Sequence, residues 1–114
     1  MTDQSSVALT RAFTEAWTSS DMEKAATYLA EDVTFDGPAN STTGAEAYMQ
    51  ALSAFARGVT GLKILAAHGD DTEAVILYEV TMASGATLTC AELLTFRDGK
   101  IAADRLTFST HASR

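Results

Sequence analysis

Two carboxylates lie within apolar rows of predicted strands in the second half of the chain. Glu92 shares one face of its strand with Cys90 and Leu94, and Asp104 shares a face with Leu106. A buried carboxylate is costly unless it is paired, so these positions indicate a hydrogen-bonding partner, a shifted pKa or a ligand. Two such groups held together at low dielectric cannot both ionise easily, and the protonated one can act as a general acid. This chemistry suits enolisation or ring closure.

The hairpin turn at residues 97–100 decides whether the two carboxylates meet. A three-residue loop with a bulged glycine places Glu92 opposite Asp104, and it also joins the apolar residues of both strands into one continuous face. A two-residue type I′ turn instead places Glu92 opposite Arg105, as an ordinary cross-strand ion pair. We favour the first register, in which Glu92 and Asp104 form a catalytic pair, and keep the ion pair as the structural alternative.

Asp36 and Tyr78 are further candidates for acid-base or hydrogen-bonding roles. Asp36 precedes the turn at Gly37 and Pro38, and it can act as a catalytic base if a bulge turns it inward. The alternative is a solvated aspartate that caps the turn. Tyr78 can donate to a substrate oxygen, or its ring can be buried with the hydroxyl at a polar edge.

The histidines and the single cysteine indicate no metal site. His68 stands at a predicted strand end and His111 near the C-terminus, and neither has a ligand-like neighbour at metal spacing. Cys90 lies on an apolar face without a predicted basic activator, so we expect a buried and inert thiol. We therefore expect neither a metal nor a cofactor.

Helices that must position these groups are predicted in the first half of the chain. Apolar residues at helical spacing predict a helix over residues 6–18, and Asp21 is a suitable N-cap for a second helix that ends near Ala30. A third helix is predicted over residues 45–56. Residues 33–36 form a short predicted strand, which ends at the following Gly-Pro turn because proline cannot donate to a β-ladder.

The second half alternates with period two and predicts an antiparallel meander, which makes the fold class α+β. Strands joined by short turns must be antiparallel, because a parallel return needs a crossover of about a dozen residues. The predicted strands cover residues 62–68, 73–83, 87–97 and 100–110. Apolar and aromatic residues of these elements are predicted to fill the core and to line a substrate pocket: Phe13, Trp17, Tyr48, Leu52, Phe55, Tyr78, Met82, Leu94, Leu106 and Phe108.

The composition is that of one globular domain without affinity for nucleic acid or membranes. A length of 114 residues suffices for one core, so we expect a single domain over residues 1–114. Eight basic against fifteen acidic residues give a formal net charge of −7, which repels phosphate backbones and anionic lipid. The start of the chain lacks the pattern of a signal peptide, and one cysteine fits a reducing compartment. We expect a cytoplasmic protein.

The order of elements resembles the nuclear transport factor 2-like superfamily, and specifically its SnoaL-like members. The resemblance covers nearly the whole chain and depends on the order and spacing of short motifs. These are Ala16-Trp17 followed by Asp21, residues 28–35, Pro38 and Gly44 before the third helix, and residues 96–101. It implies a cone in which N-terminal helices pack on a strongly curved, mostly antiparallel sheet around an apolar cavity. Polyketide cyclases and ketosteroid isomerases of the superfamily use that cavity for catalysis.

Only part of the known catalytic patterns carries over to this chain. Ketosteroid isomerases have a tyrosine donor where this chain has Phe13 and a general base where it has Gly37, but their protonated carboxylic acid matches Glu92. The positions that hold an arginine and two aspartates in limonene-epoxide hydrolase-like members are Tyr78, Val80 and Leu106 here.

The expected function is that of a small-molecule pocket protein, a cofactor-independent isomerase, cyclase or hydro-lyase that acts on a small apolar carbonyl compound. The alternative is a non-catalytic, dimeric ligand-binding or accessory domain. The resemblance also implies a homodimer through the outer face of the sheet. On that face Val75, Leu77, Ala91 and Leu93 form an apolar patch that a second copy can cover.

Overall fold

Three helices accompany the sheet. The computed structural model describes residues 5–111, with the side chains of residues 5–109. Helix α1 is Ser6–Thr18, α2 is Met22–Ala26 and α3 is Ala45–Ala56, so the predicted first and third helices are confirmed. α1 begins where the Ala8 N–H donates to the Ser5 hydroxyl at 3.1 Å, which satisfies a backbone donor that the helix leaves unpaired.

The second helix is shorter than predicted. It begins after its N-cap Asp21 and ends at Ala26, not near Ala30. The physical reason is a long-range pairing, because Leu29 lies in the sheet opposite Ile101. A helix continued to Ala30 would remove this segment from the sheet.

Six strands form one sheet within the described part of the chain. The four meander strands are confirmed with small changes at their ends, whereas the first strand begins earlier than predicted and the very short second strand was not predicted. The strands are β1 Leu29–Asp36, β2 Ser41–Thr43, β3 Val59–Gly69, β4 Glu73–Met82, β5 Thr87–Arg97 and β6 Lys100–His111.

The sheet is mostly antiparallel, in the order β2-β1-β6-β5-β4-β3. Strands β3 to β6 are the predicted meander, and β2 pairs antiparallel with β1. Only β1 and β6 run parallel, and this pairing brings the first strand beside the last. The α+β class with helices on a curved sheet is therefore confirmed.

The turn between β5 and β6 contradicts the favoured register. Arg97 pairs with Lys100, which leaves Asp98 and Gly99 as a two-residue turn. Their φ angles of 54° and 76° are the left-handed values that a type I′ turn requires. The predicted three-residue loop is wrong.

A bulge in β6 then moves the carboxylates to a third arrangement. Ala102 has no partner on β5, since the register shifts by one residue at this point. Glu92 consequently falls opposite Leu106, and the predicted pairings with Asp104 and with Arg105 are both wrong. Asp104 lies one pair further along on the same face, as a diagonal neighbour of Glu92.

The two faces of the sheet differ sharply in exposure. On β4 the side chains of Ile76, Tyr78 and Val80 point inward and are at most 1% exposed, whereas Val75 and Leu77 point outward and are 49% and 37% exposed. Helices α1 and α3 cover the inner face. Within residues 5–111, no helix has the length and apolar character that crossing a membrane requires.

Candidate functional site

An apolar cavity of about 200 Å³ lies between the inner face of the sheet, α1, α3 and the loop that joins β1 to β2. An apolar protein cavity of about 150 Å³ takes up benzene, so this one has room for a small organic ligand. Seven of the ten predicted lining residues are placed around it: Trp17, Tyr48, Leu52, Phe55, Tyr78, Leu106 and Phe108.

The other three predicted lining residues lie away from the cavity. Phe13 is 1% exposed, and its ring packs against those of Tyr28 and Tyr48 behind the cavity wall. Leu94 is fully buried in the core, and the side chain of Met82 lies beside Gly58. They support the cavity without lining it.

Glu92 is the acidic residue on the cavity wall. It lies on the inner face of β5 between two apolar strands, opposite Ile76 on one side and Leu106 on the other. Its side chain is 5% exposed, and the Tyr78 hydroxyl donates a hydrogen bond to its Oε1 atom at 2.7 Å. A carboxyl group thus faces an apolar space with one fixed hydroxyl donor.

Asp104 lies behind this wall and beside Glu92. It is 2% exposed and does not line the cavity. The Tyr48 hydroxyl donates to its Oδ2 atom, and interaction with the neighbouring Glu92 carboxyl helps to raise the pKa of Asp104. Tyr48 comes from α3 and Tyr78 from β4, so one helix and three strands hold the pair.

Burial and the neighbouring charge of Glu92 favour the protonated form of Asp104. Desolvation raises the pKa of Asp104 well above its usual range, and the charge of Glu92 raises it further, while the bond from Tyr48 opposes the shift. The protonated form of Asp104 is therefore favoured compared with an aspartate in water. Its Oδ1 atom receives no hydrogen bond from a described residue, so we place the proton there, where it can be donated to Glu92.

The two tyrosines remain hydroxyl donors. Burial, followed by the charges of the neighbouring acids, raises the pKa of Tyr48 and of Tyr78 well above the usual value. In the described part of the chain, no lysine, arginine or histidine lines the cavity. The site is a chain of four hydrogen-bonding groups, Tyr48, Asp104, Glu92 and Tyr78, without a basic partner.

Asp36 is outside this site. Its side chain is 57% exposed and pairs with Arg105, with 3.2 Å between Nη2 and Oδ2. The Ser41 hydroxyl donates to its other oxygen at 3.0 Å. The predicted inward-turning bulge does not occur at this position, so the carboxylate is on the outer side of the sheet, and Arg105 is there with it instead of beside Glu92.

Cys90 lines the cavity as a protonated thiol. Burial raises its pKa to about 11, so the thiolate is scarce at neutral pH. His68 is exposed on β3, and the side chain of His111 lies outside the described residues. Among residues 5–109, no cluster of three or more His, Cys, Asp and Glu side chains is arranged to hold a metal ion.

Sequence reasoning missed the residues at the mouth of the cavity. Pro38, Ala39 and Asn40 of the β1–β2 loop and Phe35 of β1 all contribute to the lining. The Phe35 ring packs edge-on against Tyr48 at 5.4 Å between centroids. The apolar position of Phe35 in a predicted strand was an available signal, but the loop is brought to the cavity only by the pairing of β1 with β6.

A curved sheet packed on helices around such a cavity defines the nuclear transport factor 2-like fold. The sequence model of the SnoaL-like domain matches residues 10–103. The chain therefore belongs to the SnoaL-like domain family. A search of curated proteins finds no significant match.

Solved structures share the fold at low sequence identity. A protein of Kribbella flavida is 29% identical, with a TM-score of 0.89, and the match covers 94% of this chain and 88% of that one. A proposed ketosteroid isomerase of the same organism is 22% identical, with a TM-score of 0.79 and coverage of 99% and 83%. An epoxide hydrolase from M. tuberculosis is 16% identical, with a TM-score of 0.78 and coverage of 91% and 82%.

Two of these similarities show the fold alone, since their identities are below 25%. Proteins that share a fold carry unrelated activities, so the reaction has to be argued from the residues of the site.

Proposed function

We propose that the protein is a cofactor-independent isomerase, cyclase or hydro-lyase in which Glu92 removes a proton next to the carbonyl of a small apolar compound. The observation that carries this proposal is the Glu92 carboxyl, which faces an apolar cavity and has one hydroxyl donor, Tyr78, but no basic partner among the described residues. A carboxylate on the wall of an apolar cavity can take a proton from a C–H group of a ligand bound within hydrogen-bonding reach of it.

The shared first step breaks a C–H bond. Glu92 takes the proton, and the electron pair enters an enolate whose negative charge is on the ligand oxygen. The Tyr78 hydroxyl is placed to donate to that oxygen as the Glu92 charge is neutralised and its demand for the 2.7 Å hydrogen bond falls.

The second step decides the reaction type. Return of the Glu92 proton to another carbon gives an isomer. Attack of the enolate carbon on a second carbonyl closes a ring, and the proton goes to the new alkoxide. Loss of a β-hydroxyl together with that proton releases water.

Asp104 and Tyr48 are positioning residues in this scheme. The protonated Asp104 donates to Glu92 and fixes the orientation of its carboxylate, and Tyr48 fixes Asp104 in turn. Neither acid needs to leave the hydrogen-bonded chain during catalysis.

Isomerisation of cyclohex-3-enone to cyclohex-2-enone tests the proposal. The product is conjugated and absorbs in the ultraviolet, so proton transfer from C2 to C4 can be followed directly. Glu92→Gln keeps the shape of the side chain and removes the base, and we expect the rate to fall by about 10²-fold or more.

Glu31→Gln is the matched control, because Glu31 is exposed on β1 and does not line the cavity. Its rate should equal that of the unmodified protein. Equal rates for all three proteins would show that Glu92 is not the base.

A ligand-binding domain without catalysis is the second candidate. It is favoured by the two tyrosines, which give each carboxyl a hydroxyl donor and can make the buried pair a purely structural network. Saturable ligand binding without turnover in any proton-transfer assay would support it.

Assembly and location complete the proposal. We expect two copies to pair through the outer face of the sheet, where Val75 and Leu77 are exposed. We also expect the protein to act in the cytoplasm, where its one cysteine stays reduced.

A further inference from the structure

The polar side chains that line the cavity differ sharply in exposure, and we take the buried ones as its floor and the exposed one as its mouth. At the floor are the Glu92 carboxyl and the Tyr78 hydroxyl, on residues that are 5% and 1% exposed. At the mouth is the exposed Asn40 of the β1–β2 loop. The walls between the ends are apolar, with side chains such as Leu52 and Phe55.

Asn40 offers an amide to a ligand. Its backbone carbonyl accepts the Gly37 N–H at 2.9 Å and closes the loop. Its side-chain amide makes no hydrogen bond to any residue in the described part of the chain. The amide can therefore donate or accept at the mouth without giving up an existing bond.

The loop that carries Asn40 is fixed from its outer side. Asp36 at the start of the loop accepts from Ser41 at its end and pairs with Arg105 of β6. Gly37 lies so close to the Phe35 ring that a Cβ there would come within 2.7 Å of it. These contacts restrain the loop, so it offers a defined surface for positioning a ligand at the mouth of the cavity.

The charges of the site select against anions. A carboxylate is at the floor, a neutral amide is at the mouth, and within the described residues no basic side chain lines the cavity. The formal net charge of −7 adds a long-range repulsion of the same sign.

We propose that the ligand is a neutral, ring-sized compound with two oxygens at opposite ends, and that Asn40 is the specificity-determining residue that binds the oxygen far from the reacting carbon. This inference rests on the proposed function for the identity of the first oxygen, the carbonyl at the floor. The second oxygen is a hydroxyl, carbonyl or ether, since an amide recognises each of these without a charge.

Trp17 allows a direct binding test, because it is the only tryptophan in the chain and lines the cavity. Its fluorescence is titrated with cyclohexanone, with 4-hydroxycyclohexanone and with 4-oxocyclohexanecarboxylate. One additional hydrogen bond should make the hydroxyketone bind about five- to tenfold more tightly than the ketone. The carboxylate should bind more weakly than the hydroxyketone.

Variants of Asn40 test whether this residue causes the preference for the hydroxyketone over the ketone. Asn40→Ala should reduce the ratio of the two ketone affinities to about one, since only the hydroxyketone loses a bond. Asn40→Arg should shift the preference toward the carboxylate. Gln50→Ala is the matched control, because Gln50 is an exposed amide on α3 outside the cavity, and it should keep the original ratio.

The proposal is overturned by equal affinities of the two ketones for the unmodified protein, by a preference that survives Asn40→Ala, by tight binding of the carboxylate, or by no binding of any probe. These outcomes concern binding alone. Loss of the proposed proton transfer is read separately from Glu92→Gln, so either proposal can fail while the other stands.

Discussion

Asp104 and Arg105 are neighbours in the chain but lie in opposite environments. Asp104 points inward, is 2% exposed and has a raised pKa because it is buried beside Glu92. Arg105 points outward and pairs with Asp36, with both side chains more than half exposed. A charge on the inner face is costly because it is buried without a basic partner, whereas the outer charges compensate each other in water. In the proposed function the chemistry takes place on the inner face, and the outer face supports the β1–β2 loop and the proposed homodimer.

The largest effect on stability is expected from Asp104→Ala. This change leaves the Tyr48 hydroxyl without its acceptor and Glu92 without its neutral donor, both in a buried environment. The free energy of unfolding should fall by about 3 kcal/mol in a urea titration. Asp104→Asn keeps a donor and an acceptor in a side chain of the same shape, so its free energy of unfolding should fall by clearly less. Equal losses for the two variants would contradict the hydrogen-bonded chain.

The next largest effect is expected on dimerisation, from changes in the apolar part of the outer face. In the proposed homodimer, Val75→Glu combined with Leu77→Glu places like charges against each other across the interface. The dissociation constant of the dimer should rise by about hundredfold, as measured by sedimentation. An unmodified protein that is monomeric at micromolar concentration would contradict the proposed interface.

The pH dependence of stability sharpens the comparison further. Because the pKa of Asp104 is raised by folding, the folded state holds more protons than the unfolded state above about pH 4, the range of an unperturbed aspartate. This contribution is present at low pH and is lost as pH rises toward the raised pKa. Relative to Asp104→Asn, the unmodified protein should lose up to about 1.4 kcal/mol of stability per pH unit as pH rises from about 5 toward the raised pKa. If the free energy of unfolding depended on pH in the same way in both proteins, the pKa of Asp104 would not be raised by folding.

The smallest effect is expected from Asp36→Asn on the outer face. An exposed ion pair contributes about 0 to 1 kcal/mol, so the free energy of unfolding should change by less than about 1 kcal/mol. Isomerisation of cyclohex-3-enone should stay within about twofold. A loss as large as that of Glu92→Gln would restore Asp36 as a base.

Local patterns were sufficient for much of the fold and for the position of Glu92. The helical spacing over residues 6–18 and 45–56 and the period-two alternation of residues 87–97 each reflect one buried face, and this face is recorded in the sequence itself. The apolar neighbours of Glu92 on its strand were enough to predict that its side chain is buried, without knowledge of its hydrogen-bonding partner.

Long-range pairings were not predictable in the same way. The bulge at Ala102 moves every later residue of β6 by one position, and nothing in the residue types around it requires an unpaired alanine. The parallel pairing of β1 with β6 ended α2 early and brought Asn40 to the cavity. Such contacts depend on the whole fold, so the partners Tyr48 and Tyr78 emerged only from the structure.

Deuterium exchange at the carbons next to the carbonyl of cyclohexanone tests the central claim most directly. The assay reads proton removal itself, whatever reaction follows, and is performed in D₂O with the unmodified protein, Glu92→Gln and Asp104→Asn. We predict that Glu92→Gln lowers catalysed exchange by about 10²-fold or more, while Asp104→Asn retains most of it because its amide replaces the donated hydrogen bond. Exchange that persists in Glu92→Gln, or that is lost only in Asp104→Asn, would contradict the assignment of Glu92 as the base.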